Sequence, residues 1–278
     1  MPDLQGIAVF EEEVHGCRVT TVEVQTECAA ERLGREVGSY ITVEMAQQIG
    51  EREWLECTGE CLVEILERVL RPHFHGKLCV CGLGNRDIPA DSLGPEVTDR
   101  LPLSFFRLLQ GYACQFREIF SITPGVFGVN NTPTPTLVAG AVQSTGADCL
   151  LLVDSIATPD PAKLFRMLQI STAGGTRSFF RGGEEDWASI GIPVLAIGIP
   201  TAIPLNALSP GASKDDMVLT STQATSEIEA LGVLLTYALI RVCWPSLNRE
   251  ECFLLTKVNS DPLPYSPLLN SGSAQGDT

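Results

Sequence analysis

Residues 78–95 read LCVCGLGNRDIPADSLGP, in which a short apolar run is followed at once by glycines and then by two aspartates. A short, continuous apolar run is typical of a strand that is buried on both faces of a parallel sheet. Similar runs recur along the chain, separated by sequence that can form helices, at Glu118–Ile122, Cys149–Val153 and Pro193–Ile199. This alternation predicts an α/β fold with a mostly parallel sheet flanked by helices.

Helical spacing of apolar residues predicts helices at Glu51–Leu70, about Ser92–Leu109, about Thr136–Thr145, part of the stretch from Pro161 onward and Ser221–Val242. Nearer the N-terminus, alternating β-rich segments predict short antiparallel strands at Arg18–Thr26 and Ser39–Val43. We therefore expect three parts: a small β-rich addition at residues 1–50 that packs on the main domain, an α/β domain at 51–258, and an irregular or disordered tail at 259–278.

The composition argues against several classes of protein. The chain has 19 Lys+Arg against 34 Asp+Glu, a net charge of −15, which disfavours a generic nucleic-acid binder because clustered cations are needed to bind phosphates. No apolar stretch reaches the roughly 18 residues of a transmembrane helix, and the first residues lack the pattern of a signal peptide. We therefore expect a cytoplasmic protein with neither a nucleic acid nor a membrane as partner.

Ten cysteines are scattered along the chain without a C-x-x-C pair, so we expect free thiols in a reducing compartment. Cys57 and Cys61 lie four residues apart on a predicted helix, with His73 and His75 nearby, and a metal site is conceivable there. Closed zinc sites favour tighter spacings. Core thiols and solvated histidines are therefore the favoured interpretation, and no metal site is predicted.

Two aspartates stand where ligands bind in parallel sheets, just beyond the carboxyl ends of the strands. Asp91 precedes a predicted helix, and Asp154 directly follows the run that ends at Val153. Two close carboxylates raise the pKa of one of them and can share a proton, as general acid–base attack of water on an amide requires. Alternatively, Asp91 caps the helix and Asp154 is a strand-end turn residue. Asp87 competes with Asp91, and spacing does not decide between them.

Other kinds of site receive little support. The glycine segment lacks a G-x-G-x-x-G pattern because its third position falls on Asp87, and no Gly-Lys-Ser/Thr motif follows. The three histidines, His15, His73 and His75, all precede the first apolar run, and no G-x-S-x-G motif occurs. A nucleotide-binding loop and a serine or cysteine hydrolase are therefore both disfavoured.

Five segments in order carry a resemblance to a known family: CGLGNRDIPADSLGP (81–95), ITPGVFG (122–128), LVDSIA (152–157), LQIS (168–171) and GIPVLAIGIPT (191–201). Over roughly residues 14–205 the chain resembles the spore germination proteases, endopeptidases that degrade small acid-soluble spore proteins. The resemblance implies an atypical aspartic endopeptidase on the fold of hydrogenase-maturation proteases, with a zymogen form and a homotetrameric assembly. It also implies a location in the cytoplasm of the forespore or spore core, and no cofactor.

The family's two catalytic aspartates correspond to Asp91 and Asp154, which favours Asp91 over Asp87 for the catalytic role. The resemblance also assigns residues to the substrate and site loops, namely Gly82, Gly84, Asn85, Asp87, Gly94, Pro124, Gly125 and Thr201. This chain departs from the family pattern in places, for example at Pro133, where the family has an acid. Two alternatives therefore stay open: a divergent or non-catalytic paralogue that binds spore proteins, and a nickel-dependent maturation-type protease, disfavoured because no histidine follows His75.

Overall fold

The structure is a computed structural model that describes residues 5–46, 51–103, 117–126, 131–173, 187–208 and 217–257. The strands are β1 Ile7–Val14, β2 Cys17–Val24, β3 Gly38–Glu44, β4 Lys77–Gly82, β5 Glu118–Ile122, β6 Cys149–Ala157, β7 Met167–Ser171, β8 Val194–Pro204 and β9 Val218–Leu219. The α-helices are α1 Glu27–Leu33, α2 Glu51–Leu70, α3 Leu93–Arg100, α4 Thr134–Thr145, α5 Leu205–Leu208, α6 Ala224–Cys243 and α7 Arg249–Leu255. Short 3₁₀ helices are η1 Pro89–Asp91, η2 Pro161–Lys163 and η3 Trp187–Ile190.

All of these strands belong to one mixed sheet in the order β1-β2-β3-β7-β8-β6-β4-β5, with β9 pairing beside β8. Strands β5, β4, β6 and β8 are parallel, whereas the pairings β1–β2, β2–β3, β3–β7, β7–β8 and β8–β9 are antiparallel. The sheet is therefore mostly antiparallel, and the prediction of a mostly parallel sheet is wrong. The reason is that the N-terminal strands extend the same sheet through β3 and β7.

The four apolar runs are confirmed as the parallel strands, and the two N-terminal segments are confirmed as the antiparallel pair β2 and β3. Of the stretch from Pro161 onward, part of which the sequence predicts to be helical, residues 161–163 form the 3₁₀ helix η2, residues 167–171 form the strand β7, and residues 174–186 lie outside the described residues. Alternate residues Leu168 and Ile170 of β7 are buried in the core, and tertiary pairing with β3 and β8 fixes this strand.

The helix predicted from Ser92 ends early, at Arg100, since Leu101 has an extended backbone before Pro102. Residues 104–109, the rest of that prediction, lie outside the described residues, as does the predicted tail 259–278.

Helices cover both faces of the sheet. The main core cluster joins one face of the strands to helices on that side, through Leu62, Leu66, Val97, Leu151, Ile197, Leu234 and Leu235. A second cluster lies on the opposite face, where α4 and η3 cover the parallel strands, through Cys79, Val138, Leu152, Trp187 and Ala196. A third, smaller cluster packs Ala29 and Ala30 of α1 against Val24 of β2. The parallel strands β4 and β8 and the first half of β6 are thus buried on both faces, and the carboxyl ends of the parallel strands meet at one edge.

Within the described ranges, no helix combines the length and apolar character needed to cross a bilayer.

Candidate active site

The chain leaves β4 through a turn that packs directly against α3. A side chain at Gly94 would place its Cβ 2.5 Å from the Val153 carbonyl oxygen and equally close to the Leu83 backbone. A Cβ at Gly82 would in turn collide with the Gly94 backbone. Glycine at both positions therefore lets the first turn of α3 lie against the carboxyl ends of β4 and β6, and this contact positions the segment between them.

That segment folds back on Asp91. Gly84 adopts a φ of +111°, a conformation that favours glycine, and its Cα faces the Asp91 backbone carbonyl. The Asn85 amide donates to both the Asp91 carbonyl and the Asp91 Oδ2, each at 2.9 Å. The Asn85 side chain accepts a hydrogen bond from the Asp87 amide at 3.0 Å. The carboxylate of Asp91 is therefore fixed by the loop that precedes it.

The helix-cap alternative for Asp91 does not describe this geometry. Asp91 is the last residue of η1, and Ser92 occupies the N-cap position of α3. Burial raises the pKa of the Asp91 carboxyl, while the hydrogen bond from the Asn85 amide partly opposes that shift. Asp87, by contrast, is exposed. The environment of Asp91 is therefore the better suited of the two to a proton-sharing carboxyl.

Asp154 lies inside a strand rather than in a turn, because β6 continues to Ala157. It pairs with Gly198 of β8, and its Oδ1 accepts a hydrogen bond from the Ser155 amide at 2.7 Å. The preceding residue, Val153, accepts from the Leu83 amide at 2.8 Å, where the chain leaves β4. Asp154 and the loop that carries Asp91 thus meet at the same sheet edge, on neighbouring strands.

Thr201 of β8 connects that strand to η1. The register of β6 and β8 shifts so that Ile156 faces Pro200 and Ala157 faces Ala202, which leaves Thr201 as the extra residue of a bulge. Its buried hydroxyl donates to the Ala90 carbonyl at 2.5 Å. The residue next to Asp91 is therefore anchored to β8, as well as to the loop after β4.

Pro124 and Gly125 lie at the same edge but one strand further out, after β5. Thr123, which precedes them, shares a 2.7 Å hydrogen bond with the hydroxyl of Thr98 on α3. The carboxyl ends of all four parallel strands thus contribute to the candidate site.

Sequence reasoning missed several polar residues here. Thr98 lies one helical turn after Gly94, a spacing that could have indicated it, whereas its partner Thr123 is 25 residues away. The hydroxyl of Ser155 is buried beside Asp154 and has no hydrogen-bond partner among the residues that the structure describes. No local pattern in the sequence marks that hydroxyl as buried.

The cysteine and histidine residues considered for a metal do not form a cluster. Cys61 is fully buried and faces Cys17 of β2, while Cys57 is only partly buried. Across the described ranges, no three His, Cys, Asp or Glu side chains are arranged to hold a metal ion.

Fold and site together define an α/β protein whose candidate site lies at the carboxyl ends of adjacent parallel strands, with Asp154 in β6 and Asp91 in the segment that follows β4. Residues 1–220 match the family described as "Germination protease", and the chain belongs to this family.

Its relatives include the germination protease of Priestia megaterium, 30% identical over 230 residues, which is 78% of this chain and 60% of the relative. The germination protease of Caldanaerobacter subterraneus subsp. tengcongensis is 30% identical over 215 residues, 72% of this chain and 64% of the relative. The germination protease of Bacillus cereus AH187 is 28% identical over 233 residues, which is 78% of this chain and 61% of the relative. The chain thus spans about three fifths of the length of these curated relatives.

Proposed function

We propose that this protein is an aspartic-type endopeptidase that cleaves small acid-soluble spore proteins during germination. The observation that carries the proposal is that Asp154 of β6 and the loop after β4 that holds Asp91 lie at the carboxyl ends of neighbouring strands, in a chain related to germination proteases. Burial raises the pKa of the Asp91 carboxyl. A carboxyl that keeps its proton to higher pH is suited to donate it during catalysis.

The two carboxyl groups would divide the chemistry of amide hydrolysis. Asp154, as carboxylate, would accept a proton from a water molecule as the water oxygen attacks the peptide carbonyl carbon. Asp91, as carboxylic acid, would donate its proton to the leaving amide nitrogen as the carbon–nitrogen bond breaks. The Asn85 amide and the Thr201–Ala90 hydrogen bond would hold Asp91 in place. Gly82, Gly84, Gly94, Pro124 and Gly125 would shape the surrounding loops.

The remaining features of the proposal follow from family membership. The protein would act in the cytoplasm of the forespore or spore core, without a cofactor. It would have a zymogen form and would assemble as a homotetramer. We propose that the four parallel strands and the segments at their carboxyl ends, which hold the proposed catalytic residues, are the part shared with hydrogenase-maturation proteases. The N-terminal strands β1 to β3 would be an addition to that shared core.

The test is cleavage of a purified small acid-soluble spore protein, followed by mass spectrometry of the fragments near neutral and mildly acidic pH. We expect Asp91→Asn and Asp154→Asn each to lower the cleavage rate by about 10²–10⁴-fold, the contribution typical of a general acid or base. Circular dichroism would verify that each variant is folded.

Two further variants control for removal of a charge. Asp148→Asn removes a carboxylate at the opposite end of β6, where Asp148 accepts from the amides of His75 and Lys77. We expect this variant to keep its activity. Asp87→Asn shows which of the two loop aspartates is needed for cleavage. Loss of cleavage in Asp87→Asn but not in Asp91→Asn would overturn the role of Asp91. Folded wild-type protein that binds the substrate without cutting it, even after N-terminal trimming, would contradict the enzymatic proposal.

A further inference from the structure

Two cysteines outside the candidate active site face each other between the N-terminal strands and α2. Cys17, the first residue of β2, and Cys61 of α2 are both fully buried in the main core cluster. Cys17 Sγ lies 3.9 Å from Thr58 Oγ1, in the helical turn before Cys61, and the Cys61 thiol has the largest influence on the pKa of Cys17. The packing of β2 on α2 therefore brings together two sulfurs that are 44 residues apart in the chain.

The surroundings of the two sulfurs are unequal. The hydrogen bond from Cys61 lowers the pKa of Cys17, and further contributions come from the Ala46 amide, the Thr58 hydroxyl and nearby His15. The pKa of Cys61 is raised by its partner and by burial, with smaller effects of Glu64 and Glu12. Cys17 is therefore the sulfur of the pair that loses its proton more readily, and a thiolate is the nucleophile in thiol–disulfide exchange.

We propose that Cys17 and Cys61 are a site of reversible oxidation, at which a low-molecular-weight disulfide such as oxidised glutathione converts the pair into an intramolecular disulfide. The Cys17 thiolate attacks one sulfur of the reagent, whose S–S bond breaks and releases one glutathione thiolate. Cys61 then loses its proton to solvent and attacks the Cys17 sulfur of the mixed disulfide. The second glutathione leaves, so that two cysteines are oxidised and one reagent disulfide is reduced.

Access to the buried pair requires movement of the β1–β2 hairpin. On the surface, this hairpin contacts α2 through His15 Nε2, 3.3 Å from a Glu64 carboxylate oxygen, and through an ion pair between Glu12 and Arg68. Ion pairs between such exposed groups are weak, so transient separation of the hairpin from α2 is the route for the reagent. Oxidation would then fasten the antiparallel strands to α2 covalently, away from the candidate active site.

The experiment treats the reduced full-length protein with oxidised glutathione, quenches with acid, and maps disulfide-linked peptides by mass spectrometry under non-reducing conditions. We expect the Cys17–Cys61 peptide as the main intramolecular product, accompanied by a rise in Tm of several degrees that dithiothreitol reverses. Cys28, which is exposed, serves as the internal control and should carry glutathione.

Matched variants distinguish a specific pair from general thiol reactivity. Cys57→Ser, one turn earlier on α2, should leave the linked peptide unchanged, whereas Cys61→Ser should abolish it and leave Cys17 as a mixed disulfide with glutathione. If Cys61→Ser does not fold, the disulfide map of the wild-type protein alone tests the proposal. Recovery of Cys17 and Cys61 as free thiols while Cys28 is modified, or linkage of either to another cysteine, would overturn the proposal.

Discussion

The parallel and antiparallel halves of the sheet differ in how far their side chains are buried. In the parallel half, β4, β5, β6 and β8, nearly every residue of β4 and β8 is buried, because helices cover both faces. In the antiparallel half, β1, β2, β3 and β7, the edge strand β1 is mostly exposed. Where both faces are covered, polar side chains are accommodated at strand ends, and the candidate site lies there. The antiparallel half instead places polar side chains along its exposed strands.

The strongest test of this comparison is the same substitution in two helices. Gly94→Ala in α3 would force a Cβ against the backbone of β4 and β6. Backbone cannot move aside as a flexible side chain can, so we expect a loss of about 3 kcal/mol in the free energy of unfolding, the upper range for overpacking. Chemical denaturation monitored by circular dichroism would measure it.

Gly140→Ala is the matched control, since nothing lies within 4 Å of the Cβ that it would add in α4. Alanine is the better helix former, and we expect a gain of about 0.5–1 kcal/mol. Equal effects of the two substitutions would mean that α3 does not pack on the strand ends as described.

Asp91 allows a second test, through the dependence of stability on pH. Burial raises its pKa in the folded protein, so the folded state binds this proton more tightly than the unfolded chain does. The resulting stabilisation is present below the unfolded pKa and is lost as the pH rises through the folded pKa. At neutral pH the burial of the Asp91 carboxyl therefore costs stability, and Asp91→Asn removes that cost while it can still accept from the Asn85 amide.

We expect Asp91→Asn to raise Tm at pH 7 by a smaller amount than Gly94→Ala lowers it. The gain should shrink as the pH falls toward 3, because Asp91 then becomes protonated in the unfolded wild-type chain as well as in the folded one. Calorimetry at both pH values would measure the difference. A Tm gain that is independent of pH would show that folding does not shift the pKa of Asp91, and a loss at neutral pH would show that the folded state favours the carboxylate; either result would contradict the raised pKa.

The parallel half could be predicted from sequence because burial on both faces leaves a local signature, the continuous apolar run. β7 could not, because its five residues become a strand through pairing with residues 40–44, more than 120 positions earlier. The same pairing joins the antiparallel half to the sheet. Strand order and direction are properties of such distant pairs, which a local pattern does not contain.

In the candidate site, too, some features could be predicted from the local sequence and others could not. Asp154 follows from the end of an apolar run, since that run marks its strand. Spacing alone does not separate Asp87 from Asp91; the family resemblance favours Asp91, and in the structure the loop closes on Asp91 while Asp87 is exposed. The anchor from Thr201 to Ala90 spans 111 residues and was equally inaccessible to spacing arguments.

The smallest expected effects come from comparing one ion pair in each half of the sheet. On the parallel side, Arg100 pairs with Glu96, with side chains only 16% and 25% exposed, and α6 packs over them at Gly232. On the antiparallel side, Arg18 pairs with Glu11 at 3.2 Å, with side chains 59% and 57% exposed.

We expect Arg100→Ala to cost about 1.5 kcal/mol in the free energy of unfolding, because it leaves a partly buried carboxylate without its charged donor. Arg18→Ala should cost less than about 0.5 kcal/mol, because water screens that pair. Urea denaturation of both variants at low and high salt would compare them, and a larger loss for Arg18→Ala would contradict the different burial of the two halves.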